Sequence, residues 1–193
     1  MPRLSDATRL RRRDDIAAAA MRCFARDGFS RTTMADIIRE AGSSSGSVYS
    51  NFENKTELVR YAASGALRRL IPSTIAGTSA SQTPWYLLSH LLRASTERVH
   101  ARTLVQIWSE SAWDLDLAEV TEQTTRELRS SIQECLTPWC REHAPARESE
   151  GKADSLTDAV LTALQGFLVR LAIDPEVDAE MLAANIVTAF HQS

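Results

Sequence analysis

Residues 33–52 read TMADIIREAGSSSGSVYSNF, and the order of small, apolar and polar positions in this stretch decides the fold. Met34, Ile37, Ile38 and Ala41 recur at helical spacing. Thr33 stands before them as an N-cap, and Asp36 three positions on can reach back to complete a capping box. Gly42 ends this short helix. Ser43, Ser44 and Ser45 offer a second cap, for a helix from about Ser45 to Asn51 that buries Val48 and Phe52. Two short helices with the joint Ala41-Gly42-Ser43 between them form a helix-turn-helix, the unit that lays its second helix in the major groove of DNA. Ser45, Ser47, Tyr49 and Ser50 point away from the buried positions and can donate to phosphates or base edges. Lys55 stands at the start of the next helix, where backbone N–H groups already favour an anion. On spacing alone, a three-helix core without a nucleic-acid partner remains the alternative.

Working outward, Ile16, Ala19, Ala20, Cys23 and Phe24 line one face of a helix from about Thr8 to Asp27, and Gly28 suits its end. Asn54 and Glu57 cap a fourth helix over about 54–71. Residues 73–83 read as a loop, and Pro84 suits the first turn of the helix after it. Further helical patterns cover 101–113, a long segment from Leu115 that Pro138 is expected to interrupt, the apolar stripe of 154–172, and a last helix from Asp178. Residues 144–153 read as a charged loop. No convincing strand alternation appears. The expectation is an all-α chain of about nine helices, with a three-helix DNA-binding domain over 1–53 and a helical ligand-binding and dimerisation domain over 54–193.

Composition agrees. In 193 residues there are only 7 Gly and 6 Pro, and the formal net charge is −3. That charge is unevenly spread: residues 1–60 carry 11 Lys+Arg against 8 Asp+Glu, while the remainder is acidic. A basic head hints at an anionic partner, and Arg9, Arg11, Arg12 and Arg13 sharpen the hint. The polar start MPRLSDATRLRRRDD does not read as a secretory signal, and no unbroken apolar run of membrane-spanning length occurs, so no membrane partner is expected. Three Cys fit a reducing cytoplasm better than a disulfide framework. Cys135 and Cys140 point about 140° apart on a helix and lack further ligands, so no metal is expected. With no nucleophilic triad and no phosphate-binding glycine fingerprint, neither enzymatic activity nor a cofactor is expected.

The stretch from Arg12 to Leu58 resembles the TetR (tetracycline repressor) family of bacterial transcription regulators. Ile16, Ala19, Phe24, Gly28-Phe29, Thr32-Thr33, Asp36-Ile37, Ala41-Gly42, Ser44, Gly46, Val48-Tyr49, Phe52, Asn54-Lys55 and Glu57-Leu58 carry the resemblance. It implies a symmetric dimer on a palindromic operator, repressing transcription. Thr33, Ser44, Ser47, Tyr49 and Lys55 would touch phosphates, and Ser45, Gly46 and Ser47 would approach bases. The chain departs from the family at Ser45, where many members have Lys, and at Ser50-Asn51, where His or Tyr is common. Base reading then falls to the serines, Asn51, Arg31 or Arg39, with the arginines at 9–13 on the backbone or in the minor groove.

The resemblance also implies a body that binds a small molecule and shifts the spacing of the two heads. Trp108 and Trp113 flank Glu110, a setting for an apolar or cationic organic ligand. Pocket candidates are Leu88, Leu92, Leu104, Trp108, Trp113 and Gln165. A regulator without a small ligand is the alternative. Ala159, Ala163, Gly166 and Phe167, with Leu182 and Ile186 of the last helix, are candidates for a four-helix dimer interface.

Overall fold

The computed structural model describes residues 6–70 and 83–191, which form helices and connecting turns. The helices are α1 (Asp6–Asp27), α2 (Met34–Glu40), α3 (Ser45–Tyr49), α4 (Lys55–Leu70), α5 (Pro84–Arg93), α6 (Arg98–Glu110), α7 (Leu115–His143), α8 (Ser149–Ile173) and α9 (Ala179–His191). No strand occurs among the described residues. The expected loop over 73–83 lies outside them except for Thr83, whose hydroxyl caps α5 by accepting from the Tyr86 N–H.

The chain divides into two compact units that do not follow the 53/54 boundary expected from the sequence. The first takes residues up to 66 together with 106–122. The physical reason lies in its core. Ile16, Phe24, Ile37, Val48, Phe52 and Leu58 are almost wholly buried, and Ile107, Leu117 and Val120 complete the same cluster. Burying each of these large side chains stabilises the fold by about 1.5–3 kcal/mol, so the end of α6 and the start of α7 belong energetically to the head.

The second unit takes 67–105 and residues from 123 onward. Leu87, Leu88, Leu91 and Leu92 of α5 are fully buried, and α5 packs on α8 and α9. Val160, Leu164, Phe167 and Leu171 form the inward stripe of α8. The Arg98 guanidinium closes the end of that helix, donating to the carbonyls of Leu171 (2.6 Å), Asp174 and Val177 (3.0 Å). It thereby satisfies acceptors that a helix end leaves open. By length and composition α8 could cross a membrane, although it contains no unbroken apolar run of that length. Its inward stripe of Val160, Leu164, Phe167 and Leu171 is buried inside this unit.

Two other sequence expectations change. Pro138 does not end α7, which runs five residues past it. The charged loop is shorter than 144–153, because α8 begins at Ser149 and already buries Ala153.

Candidate nucleic-acid interface

The site is built by capping. Thr33 closes α2: its hydroxyl accepts from the Asp36 N–H at 3.2 Å, and the Asp36 carboxylate accepts from the Thr33 N–H at 3.0 Å and from its hydroxyl at 2.6 Å. These bonds, the hydroxyl's first, hold the Asp36 carboxyl below its ordinary value. Glu40 ties α2 to α1, accepting from Arg22 Nε at 2.8 Å and Arg26 Nη1 at 3.0 Å. Gly42 turns the chain at φ +57°, a conformation that any side chain would strain. Ser44 then caps α3, accepting from the Ser47 N–H at 3.2 Å.

Helix α3 ends at Tyr49, earlier than expected, with Ser50 as its C-cap. Val48 and Phe52 anchor it inward. Ser44, Ser45, Gly46, Tyr49 and Ser50 are exposed, and Ser47 and Asn51 are half-buried. Tyr49 keeps 52% of its surface open. The face that this helix turns outward is short, hydroxyl-rich and carries one aromatic side chain. It offers donors and acceptors without a competing charge.

Several of these side chains are already engaged. Ser50 Oγ donates to the Ser47 carbonyl at 3.0 Å, and Asn51 Nδ2 donates to the same carbonyl at 2.8 Å. Arg12 Nε donates to Ser47 Oγ at 3.1 Å. Arg31 is exposed but donates from Nε to the Asp27 carbonyl at 2.7 Å. Thr33 is exposed and spent on its capping box. Lys55 is half-buried, donates to the Phe29 carbonyl at 3.0 Å and lies 4.5 Å over the Phe29 ring. Burial pulls its ammonium below the ordinary value, and Glu110 and Asp114 oppose that shift.

The arginine cluster divides. Arg9 and Arg11 are exposed on α1. Arg13 folds inward over the rings of Phe52 (4.3 Å) and Tyr61 (4.7 Å), donates to the Asn51 carbonyl at 2.7 Å and pairs with Glu57 at 3.4 Å. Sequence reasoning grouped it with the DNA-facing arginines. The missed signal is its spacing, since Arg13 precedes Ile16 and Ala17 by three and four positions and shares their buried face. Glu110 was also missed as a head residue. It accepts a hydrogen bond from the Ser30 hydroxyl. Its position at a helix C-terminus, where the dipole disfavours an acid, was the available hint.

The expected effector residues do not gather in one unit. Leu88 and Leu92 are fully buried in the second unit, where Leu104 and Gln165 are half-buried. Trp108 is half-buried in the first unit. Trp113, expected in the pocket, is not enclosed. It stands 89% exposed in the turn between α6 and α7, where its N–H donates to the Glu110 carbonyl. An open pocket of about 300 Å³ lies beside this end of α6, lined by the 27–31 turn with Gln106, Ser109 and Glu110.

Of the expected interface residues, Gly166 is exposed and Ala159, Ala163, Leu182 and Ile186 are half-buried. Phe167 is the exception. At 1% exposure it belongs to its own subunit's core, because it shares the inward stripe of α8 with Val160 and Leu171, about 100° around the helix from Gly166.

The family model described as "Bacterial regulatory proteins, tetR family" matches residues 16–62. The chain is 28% identical over 148 residues to the HTH-type transcriptional regulator BetI of Agrobacterium fabrum, covering 74% of this chain and 71% of that protein. The crystal structure of a TetR-family regulator from Rhodococcus sp. shares the fold at TM-score 0.74 and 17% identity, over 94% of this chain and 97% of that one. A regulator from Saccharomonospora viridis, solved in complex with choline, superposes at TM-score 0.68 and 16% identity, over 94% and 96% of the two chains.

Proposed function

We propose that this chain, a DNA-binding transcriptional regulator of the TetR family, represses transcription as a homodimer on a palindromic operator and is released by a small apolar or cationic organic molecule. In this reading the helices within residues 1–53 read DNA, and the effector and dimer surfaces lie within residues 54–193, part of which packs into the head's core. The observation that carries the reading is the outward face of α3, where Ser45, Gly46, Tyr49 and Ser50 stand exposed on a helix fixed by its caps and by Arg13. Such a face suits phosphates and base edges and has no role in the fold's own core.

Dimerisation is supported by the outer side of α8. Ala159 and Gly166 lie there beside Val169 (37% exposed) and Ile173 (70%), and Met181 of α9 is 63% exposed. Apolar side chains left open on two long helices suit a four-helix bundle across a two-fold axis. A cationic effector is supported by the choline complex of the Saccharomonospora viridis protein, whose fold this chain shares. Work on bacterial DNA places the protein in the cytoplasm.

The test is selection of bound sites from random duplex DNA at moderate salt. A palindromic consensus whose half-sites lie about one helical turn apart is the expected result. Failure to enrich any sequence counts against the reading.

A further inference from the structure

The turn between α1 and α2 is gripped from two sides. From α4, the Lys55 ammonium donates to the Phe29 carbonyl at 3.0 Å and covers the Phe29 ring at 4.5 Å. From the last position of α6, the Glu110 carboxylate accepts a hydrogen bond from the hydroxyl of Ser30, the residue after Phe29. Burial lowers the Lys55 ammonium, and the Glu110 and Asp114 carboxylates partly offset that effect. Gly28, at φ +86°, fixes the path of the chain into this turn.

Sequence places Lys55 at a helix start beside the recognition helix, where a lysine serves a DNA phosphate. An ammonium already bonded to a carbonyl, lying on a ring and drawn by two carboxylates is not free for that task. We propose that Glu110 is a positioning residue for DNA binding: it holds the Phe29–Ser30 turn and retains Lys55 there, so the turn competes with a DNA phosphate for one ammonium. The inference rests on the DNA-binding reading above and names a control point within it. An effector that holds the end of α6 against Ser30 keeps Lys55 on the turn and away from a phosphate, the direction that release requires.

The experiment measures binding of a fluorescein-labelled duplex carrying the selected consensus, with a mixed-sequence duplex of the same length alongside, between about 50 and 300 mM salt. Glu110→Gln removes the charge yet leaves an oxygen to accept from Ser30. Ser30→Ala removes the hydrogen bond and leaves the charge. Each is made in the wild-type chain and with Lys55→Met, and thermal unfolding confirms that every variant folds. The expected result is a gain in affinity of about threefold to tenfold for Glu110→Gln, with a steeper salt dependence. Ser30→Ala gives a smaller gain, and both gains vanish in the Lys55→Met background. No gain from Glu110→Gln overturns the proposal. So does an equal gain without Lys55, which would reflect only the removal of a negative charge near DNA. If neither duplex binds the wild-type chain, the DNA-binding reading and this inference fall together.

Discussion

The Arg13 guanidinium lies 4.3 Å over the centre of the Phe52 ring, and this stacking joins α1 to the segment that follows α3. The same group donates to the Asn51 carbonyl at 2.7 Å and faces Glu57. A planar cation can meet a ring, a carbonyl and a carboxylate at once, whereas an ammonium cannot match that geometry.

Arg13→Met is therefore expected to destabilise the head by about 1–3 kcal/mol, since a charge-assisted hydrogen bond and a ring contact are lost together. Arg13→Lys keeps the charge and should fall between the two. The measurement is the urea midpoint of each variant. A midpoint for Arg13→Met equal to that of the wild type would mean that solvent already screens these contacts.

Tyr49 is the opposite case. It is half open to solvent and sits at the end of α3, so the fold asks little of it. Tyr49→Ala should leave the thermal midpoint within about 2 °C of the wild type, as surface substitutions usually do. It should weaken binding about tenfold on both selected and mixed-sequence duplexes, because a phosphate contact positions without specifying. A loss confined to the selected sequence would move Tyr49 from the backbone to a base.

Acid should loosen the cap of α2, held by Asp36, and its grip on α1, held by Glu40. Asp36, through bonds from Thr33, and Glu40, through bonds from Arg22 and then Arg26, are both held below their ordinary values of 3.8 and 4.5. Each stays ionised in the fold at a pH where the unfolded chain binds protons. Their contribution is thus present above those ordinary values and is lost as pH falls below about 4.5. Glu40→Gln should lower stability at neutral pH and lose less on acidification than the wild type. Guanidinium unfolding at about pH 7 and pH 3.5 measures it, and parallel losses in the two proteins would rule the linkage out.

Much of the head was legible in the sequence because its signals are local. A cap at Thr33, a glycine at 42 and apolar residues at helical spacing each act within one turn of chain. What escaped is tertiary. Arg13 reads as one more exposed arginine until Phe52 and Tyr61 are placed beneath it. Glu110 reads as a ligand-facing acid until Ser30, 80 positions away, is seen to meet it. Trp113 reads as a pocket residue because it flanks Glu110 in the sequence, yet a turn holds it in solvent. Phe167 and Gly166 are neighbours in sequence about 100° apart around α8, one buried and one exposed, a distinction that a stripe as wide as that of 154–172 cannot make from composition.

That last pair separates the core of the subunit from its proposed interface. Phe167→Ala removes a fully buried ring, and losses of this kind cost about 3–5 kcal/mol, so the body should unfold at markedly lower denaturant. A Cβ added at Gly166 would meet nothing within 4 Å of its own chain. A glycine in the middle of a helix costs about 1 kcal/mol relative to alanine, and nothing inside the subunit requires one here. Close approach by a second copy of α8 would explain it. Gly166→Gln should therefore leave the helical circular dichroism intact while sedimentation velocity shows the dimer giving way to monomer. Operator affinity should fall with it, because a palindrome is read by two heads at once. A Gly166→Gln protein that stays dimeric would exclude this face of α8 from the interface.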